Sequence, residues 1–425
     1  CAGAVAVLGL WWQNTIPGSL RGGGDYLTAA GRLAGLLAGY LILVLVGLMA
    51  RVPWLEHQIG SDVLARCHRA LGEYTVGLAT AHAVLIILGY AWQSGTDPVT
   101  ETANVLFDYP DVLISAISLG LLVLVGVLSA RAVRNSVSYE SWYHVHLLVY
   151  LAIGLAFAHE FAVGADFATS ARNRLLWSGA HVVVGAAVVV FRIVVPLRRS
   201  LHHRLRVTQV VSEGPGVMSV HMAGRDIGML RAVPGQFLRW RFLAPGHWWQ
   251  SHPYSLSAPP GRDTLRITVK AAGKASSSVA GIRPGTRVWF EGPYGAFTAR
   301  RADPARRVLL IAGGAGITPI RALFATLPGA GADVILLYRA ARAADLVLYR
   351  ELDTIARRRG FGLYPLVGPR REDLLRSNEL LRMVPDVARR EVFVCGPPGM
   401  TAATSGHLRR AGVPARRIHV ESFEF

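Results

Sequence analysis

The chain has 425 residues, a formal charge of +18, and 52% hydrophobic against 17% charged residues, a length that suits two or three domains. Its basic residues are nearly all arginine, and no zinc-finger, homeodomain or other nucleic-acid motif accompanies them, so the charge is not read as DNA binding. The three cysteines, Cys1, Cys67 and Cys395, exclude a disulfide framework or a CxxC metal site.

A coding bias accounts for the arginine excess as well as attraction to anionic lipid headgroups and nucleotides does. The hydropathy is uneven. The first 200 residues hold long apolar runs and the remainder is arginine-rich, so the chain reads as part membrane and part globular. The first run, residues 1–12, is too short to span a bilayer. It is read as the remnant of a first transmembrane helix, with a signal-peptide remnant as the alternative. Five further segments, roughly 29–50, 68–92, 109–129, 142–163 and 175–195, have spanning length, which gives six helices in all.

The loops alternate in charge. Arg51, Arg66, Arg69, Arg131 and Arg134 fall on one side, and Asp97, Glu101, Asp108, Asp111, Glu160 and Asp166 on the other. The positive-inside rule puts the arginine loops in the cytoplasm. The sixth helix is expected to end at Pro196-Leu197-Arg198-Arg199, with everything after it cytoplasmic and the protein multi-pass in the plasma membrane.

Histidines punctuate two of these spans: His68 and His82, fourteen residues apart, and His146 and His159, thirteen apart. An intramembrane histidine is costly and usually functional. Fourteen residues of helix rise about 20 Å, so each histidine can face a partner on the other helix and clamp one haem iron. The topology puts His68 and His146 near the inner face and His82 and His159 deeper, so the pairs match in depth. One point resists. Thirteen residues at about 100° each miss the starting face by about 140°, whereas His144 misses by about 60°. Either the helix is distorted or His144 is the ligand. His181 has no depth-matched partner on its own helix and is read as a bundle residue.

From about residue 203 short β-rich runs (203–213, 217–223, 236–242, 264–270) separated by Gly/Pro turns predict a small antiparallel barrel. From 306, strands at 307–312, 334–338 and 392–395 alternate with helical stretches and lead to a final helix and strand. That pattern predicts a parallel nucleotide-binding sheet.

In the barrel, His252-Pro253-Tyr254-Ser255-Leu256-Ser257 presents an aromatic ring to stack on a flavin and hydroxyls to bond it. Gly273-Lys274-Ala275-Ser276-Ser277-Ser278 opens a short helix suited to a pyrophosphate, and Lys270 precedes it. Gly313-Gly314-Ala315-Gly316-Ile317-Thr318-Pro319 follows an apolar strand, where glycines admit phosphate to the backbone. It is not GxGxxG, which disfavours a simple Rossmann dehydrogenase. Cys395-Gly396-Pro397-Pro398-Gly399-Met400 ends another strand, and its thiol would sit beside a nicotinamide. Arg339 and Arg342 follow the strand between these two, where a guanidinium would grip the 2′-phosphate of NADPH.

The whole chain resembles the ferric reductase/NADPH oxidase superfamily. The resemblance covers about residues 29–425 and rests on ordered motifs: His68-Arg69-Ala70-Leu71-Gly72, Tyr139-Glu140-Ser141-Trp142 with His146 and Tyr150, the HPYS run, GGAGITP, CGPPGM, and the terminal Glu421-Ser422-Phe423-Glu424-Phe425. It implies a six-helix, two-haem transmembrane domain (1–199), an antiparallel FAD-binding barrel (200–303) and an α/β ferredoxin-reductase-like NAD(P)H domain (304–425). It favours His146 over His144. It also implies that Phe425 covers the flavin until nicotinamide displaces it. Gly-Lys-Ala-Ser replaces the family's usual Gly-Asp-x-Thr, which leaves open which of Ser276, Ser277 and Ser278 holds the pyrophosphate. No EF-hand loop occurs. The implied cofactors are FAD, two b-type haems and NADPH or NADH. Electrons would pass to an outer acceptor: oxygen giving superoxide first, ferric chelate second, a periplasmic protein third. Arg32 matches the arginine that oxidases of the family place near the outer haem and the oxygen site.

Overall fold

The computed structural model describes all residues except 1, 16–19, 131–138, 163, 165–166, 168–169, 370–371 and 424–425. Cys1, Arg131, Arg134, Asp166, Glu424 and Phe425 therefore lie outside the described residues. The chain forms two compact units, residues 1–52 with 62–191, and 53–61 with 192–425.

The first unit is helical: α1 (Ala2–Asn14), α2 (Gly23–Leu48), then α4 (Ser61–Ser94), α5 (Pro98–Asp108), α6 (Val112–Ser129), α7 (Tyr139–His146), α8 (Leu148–Ala162) and α9 (Ala171–Val189), with α3 (Pro53–Ile59) falling in the second unit. Five stretches are long and apolar enough to cross a membrane: Gly23–Leu48, Val63–Ser94, Val112–Ser129, Ser141–Ala162 and Ala171–His203. Helix suits such a setting because every backbone group is satisfied within the segment. Asp25 tightens the entry to α2 by accepting from the backbone N–H of Arg21 and Gly22, each at 3.0 Å. Asp97 caps α5 through Val99 and Thr100 at 2.9 and 3.0 Å. Glycines let helices meet closely. A methyl on Gly24 would lie 2.9 Å from the Gly89 carbonyl, and one on Gly31 would lie 3.1 Å from Ile86.

Three expectations are corrected here. Glu160, expected in an outer loop, lies within α8 and accepts a 2.6 Å hydrogen bond from Trp177 Nε1. The acidic loop from Asp97 to Asp108 contains a helix, because Asp97 supplies the N-cap and Pro98 a pre-set first turn. The last span does not stop at Pro196. It passes through a π-turn at Val190–Val194 into α10 (Val195–His203), where Pro196 falls in the first turn and needs no hydrogen-bond partner.

The second unit carries two three-stranded antiparallel sheets and one parallel sheet. The first has the order β1 (Arg206–Gly214), β2 (Val217–Ala223), β5 (Thr264–Lys270). The second has the order β4 (His252–Ser255), β3 (Phe237–Phe242), β6 (Val288–Tyr294). Isolated bridges Arg206↔Arg287 and Leu256↔Ile267 join them at both edges. Trp240, Phe290, Leu238, Ile267 and Val220 fill the space between.

The parallel sheet has the order β11-β10-β7-β8-β9, with β7 (Val308–Gly313), β8 (Val334–Ala340), β9 (Gly362–Val367), β10 (Glu391–Gly396) and β11 (Ile418–Ser422). Alternate β7 side chains serve opposite cores. Leu310 and Ala312 pack with Phe393 and Phe324, while Leu309 and Ile311 pack with Val392 and Leu408. A strand covered on both faces reads as an unbroken apolar run, which is why β7 is visible in the sequence. β9, half exposed, lacks that signature and escapes the pattern.

Candidate functional site

Two histidine pairs cross the helical unit. The His68 and His146 ring centres are 6.0 Å apart with planes at 66°, and those of His82 and His159 are 6.3 Å apart at 60°. The chain brings His146 round by breaking the helix at Leu147, between α7 and α8. There the Tyr150 N–H donates to the Leu147 carbonyl at 3.1 Å, an i→i−3 bond. Such a turn overwinds the chain, the direction that closes the angular shortfall of a thirteen-residue spacing. The His144 ring instead lies edge-on to Tyr143.

The surroundings decide which ring nitrogen is available. His68 Nδ1 lies 3.2 Å from the Leu45 carbonyl and His82 Nδ1 lies 2.9 Å from the Gly31 carbonyl. A carbonyl only accepts, so Nδ1 carries the hydrogen in both and Nε2 keeps its lone pair. His146 Nδ1 approaches Ser129 Oγ at 3.4 Å. His159 Nδ1 is buried without a hydrogen-bond partner among the described residues. Gly35 makes room: a methyl there would lie 2.7 Å from His82 Nδ1. Arg32 follows Gly31 on α2, one residue beyond the carbonyl that holds His82.

An imidazole nitrogen lies about 2 Å from the metal it ligates. Two rings clamping one ion from opposite sides therefore have centres about 6 Å apart once each ring's half-width is added. Among the described residues no group of three or more His, Cys, Asp or Glu side chains is placed to hold a metal ion. Two facing imidazoles without further ligands suit an ion whose other positions are filled by a planar cofactor. Glu160 and His181 form a separate cluster. His181 Nδ1 donates to the Trp177 carbonyl at 3.0 Å, and its Nε2 is 4.0 Å from Glu160.

In the second unit, β4 pairs with β3 so that His252 opposes Trp240 and Tyr254 opposes Leu238. Trp240 Nε1 donates to the Tyr254 carbonyl at 2.9 Å. Burial pushes the Tyr254 hydroxyl up to about 12, so it stays protonated. Ser255 Oγ is buried without a hydrogen-bond partner among the described residues, an orphan that asks for a ligand. Ser257, expected beside it as a cofactor contact, also bonds within the protein. Its hydroxyl accepts from Arg266 Nε at 3.2 Å and Thr268 Oγ1 at 2.8 Å, so both its acceptor positions are taken inside the protein. Ser276 Oγ accepts from the N–H of Ala272 and Gly273 at 2.8 and 3.0 Å and so braces its own turn. Ser277 and Ser278 are exposed.

The glycine runs meet at the sheet's carboxyl edge. β7 and β10 are neighbours from which the strand order departs in opposite directions, and such a switch point is where α/β sheets bind ligands. A methyl on Gly316 would lie 2.1 Å from the Cys395 carbonyl, and one on Gly313 would lie 2.3 Å from Met400 Sδ. Thr318 Oγ1 donates to the Ala315 carbonyl at 2.9 Å. Gly396 and Pro397 continue the edge from β10. Cys395 is wholly buried, and burial together with the charge of Glu421 pushes its thiol up, so it is protonated and faces the core. Phe423 packs against that same core.

Arg339, expected at the 2′-phosphate, is engaged by the protein's own carbonyls. Its guanidinium donates to the carbonyls of Ala340, Leu366, Gly368, Pro369 and Glu372. Both its terminal nitrogens are thus engaged by backbone carbonyls. Arg342 is exposed and pairs with Asp345 at 3.1 and 3.0 Å. Sequence reasoning missed the carbonyls of Gly31 and Leu45, the glycine at 35, and the Arg266–Glu351 contact. Small residues facing histidines along α2 are the signal that points to the first of these.

Three family models match consecutive parts of the chain: the ferric reductase like transmembrane component over residues 34–157, the FAD-binding domain over 202–298, and the oxidoreductase NAD-binding domain over 310–406. Among curated proteins, an NADPH oxidoreductase of Mycobacterium tuberculosis is 32% identical over 45% of this chain and 52% of its own length. A flavohemoprotein of Deinococcus radiodurans is 31% identical over 51% of this chain and 58% of its own. The chain thus spans little more than half of these relatives. Among solved structures, the flavohem-like FAD/NAD-binding domain of a Vibrio cholerae nitric oxide dioxygenase aligns at 24% identity and TM-score 0.45, covering 52% of this chain and 99% of that one.

Proposed function

We propose that this oxidoreductase, which has the domain architecture of the ferric reductase/NADPH oxidase superfamily, moves electrons from cytosolic NAD(P)H across the plasma membrane to an acceptor on the outer side, oxygen giving superoxide. The observation that carries the reading is the pair of histidine couples, each about one iron wide, on two membrane-length stretches. When bound, FAD takes two electrons as hydride from the nucleotide, and two b-type haems carry electrons singly.

The chain's own residues supply the holding and the tuning. His68 with His146 would hold the inner haem iron, and His82 with His159 the outer. The Leu45 and Gly31 carbonyls fix the tautomer and raise the basicity of the ligands they touch. Tyr254 and Ser255 would face the flavin, with His252, Pro253 and Lys270 beside them. Gly273, Ser277 and Ser278 would take the pyrophosphate. Gly313, Gly314, Gly316 and Thr318 with Gly396 and Pro397 would form the nucleotide edge, and Arg342 would reach the 2′-phosphate. The wholly buried Cys395 would lie beneath the nicotinamide, and Phe425 would cover the flavin in its absence. Arg32, next to the carbonyl that holds His82, would attract a small anionic product or acceptor. The segments between spans on the acidic side are short, which supports a small acceptor over a chelate.

The test is NADPH oxidation by the purified, FAD- and haem-loaded protein with oxygen and ferric chelate supplied separately. Superoxide formed in stoichiometric yield supports the oxidase reading. Rapid chelate reduction without superoxide replaces it with the reductase reading.

A further inference from the structure

One charged cluster in the second unit belongs to neither cofactor motif, yet it ties them together. Glu351, in the first turn of α12 (Tyr349–Arg359), receives Arg266 in a two-bond grip, at 2.7 Å to Oε1 and 2.9 Å to Oε2. Arg321 meets the same Oε2 at 2.7 Å. The two arginine side chains are 9% and 14% exposed. A two-pronged guanidinium–carboxylate contact fixes angle as well as distance.

The other ends of these arginines matter more. Arg266, on β5, also donates to Ser257 through Nε to Oγ at 3.2 Å and Nη2 to the carbonyl at 2.9 Å. Ser257 is two residues beyond Ser255, the orphaned hydroxyl of the flavin-motif strand. Arg321 lies on α11 (Ile317–Thr326), the helix that opens directly from Gly314–Gly316. One carboxylate therefore links the backbone just beyond the HPYS strand to the helix that begins at the glycine edge. Burial acts to raise the Glu351 carboxyl, but Arg266 and Arg321 outweigh it and hold it below the usual carboxylate range. The carboxylate stays charged at neutral pH.

We propose that Arg266, Glu351 and Arg321 are positioning residues that set the nucleotide edge against the flavin strand, and so fix how closely the nicotinamide approaches the flavin. This rests on the reading that the two motifs hold those cofactors. None of the three touches the reacting atoms. Their effect is on geometry, and misplacing reactants by about 1 Å can cost about a hundredfold in rate.

The test is anaerobic stopped-flow reduction of the bound flavin by NADPH in the full-length, FAD-loaded protein. Glu351→Gln removes the charge and keeps the shape. It is expected to slow flavin reduction about tenfold or more and to weaken the charge-transfer band between reduced nucleotide and flavin. FAD content and reduction by dithionite should be unchanged. Glu351→Asp, which keeps the charge, should recover part of the rate. Unmutated protein whose flavin NADPH and NADH both fail to reduce would sink the functional reading itself. Normal reduction there, with an unchanged rate and band in Glu351→Gln, overturns the positioning role alone. If Glu351→Gln does not retain FAD, Arg321→Gln is measured the same way, and an unchanged rate and band in that variant overturns the role equally.

Discussion

Leu175, Val182 and Val183 of the helical unit are 68–74% exposed, whereas Trp240, Phe324 and Phe393 of the second unit are wholly buried. The contrast follows from the solvent each unit faces. In hydrocarbon an outward leucine costs nothing and a close helix contact needs small residues. In water the apolar side chains must be sequestered. In the first unit, consequently, fixed distances come from glycines and backbone carbonyls that press on histidines. In the second they come from strand register and buried cores. Burial identifies the core of the second unit and says little about the first.

The difference can be broken most severely at the histidines. Replacing His68 or His146, or else His82 or His159, by Ala is expected to remove one haem and leave about half of the b-type difference spectrum. Circular dichroism of the second unit's β structure should be unchanged. His144→Ala should leave the spectrum whole, and if it halves the spectrum while His146→Ala does not, the pairing is wrong.

Gly35→Leu sharpens the same point without touching a ligand. Its Cβ would lie 2.7 Å from His82 Nδ1, so the ring must move. Partial loss of the outer haem is expected, with the inner haem retained, read from the low- and high-potential components of a redox titration.

In the second unit the matching substitution is Gly316→Ala, where the new methyl would lie 2.1 Å from the Cys395 carbonyl. Overpacking of this kind costs about 1–3 kcal/mol. A lower Tm for the flavin-bound unit and weaker nucleotide binding are expected, with the haem spectrum intact. An unchanged Tm would mean that the β7–β10 edge yields more readily than its packing indicates.

A smaller effect is expected at the nucleotide rim. Arg342→Ala should weaken NADPH about tenfold relative to NADH, as loss of one charge-assisted contact to phosphate does, and equal kinetics of the unmutated protein with both nucleotides would remove the premise. Deleting Phe425 should strengthen nucleotide binding. No change would leave Phe423 as the covering ring.

The smallest effect concerns pH. Glu351 has its carboxyl lowered in the folded protein, so its contribution is whole above the unfolded carboxyl value of about 4.3 and is lost as pH falls through the folded value. Flavin reduction should be flat with respect to this group between about pH 6 and 8. A drop on acidification within that window, absent in Glu351→Gln, would show the carboxylate taking up a proton earlier than its two arginines allow.

Spans of apolar residues, the buried strands of the two-faced sheet and the glycine runs were all legible in the sequence, because each is a local pattern with its own period or composition. The runs that resemble cofactor motifs were legible for the same reason, being short and contiguous. What tertiary structure alone decided is which groups face each other. Spacing alone points to His144 and the resemblance to His146, and it is the break at Leu147 that brings His146 to His68. Ser257 and Arg339, both read as cofactor contacts, turn to Arg266 and to loop carbonyls. Glu351 meets Arg266, 85 positions away in the chain. Facing is set by helix rotation and by where loops return the chain, and these depend on contacts among residues distant in sequence, which no local pattern records.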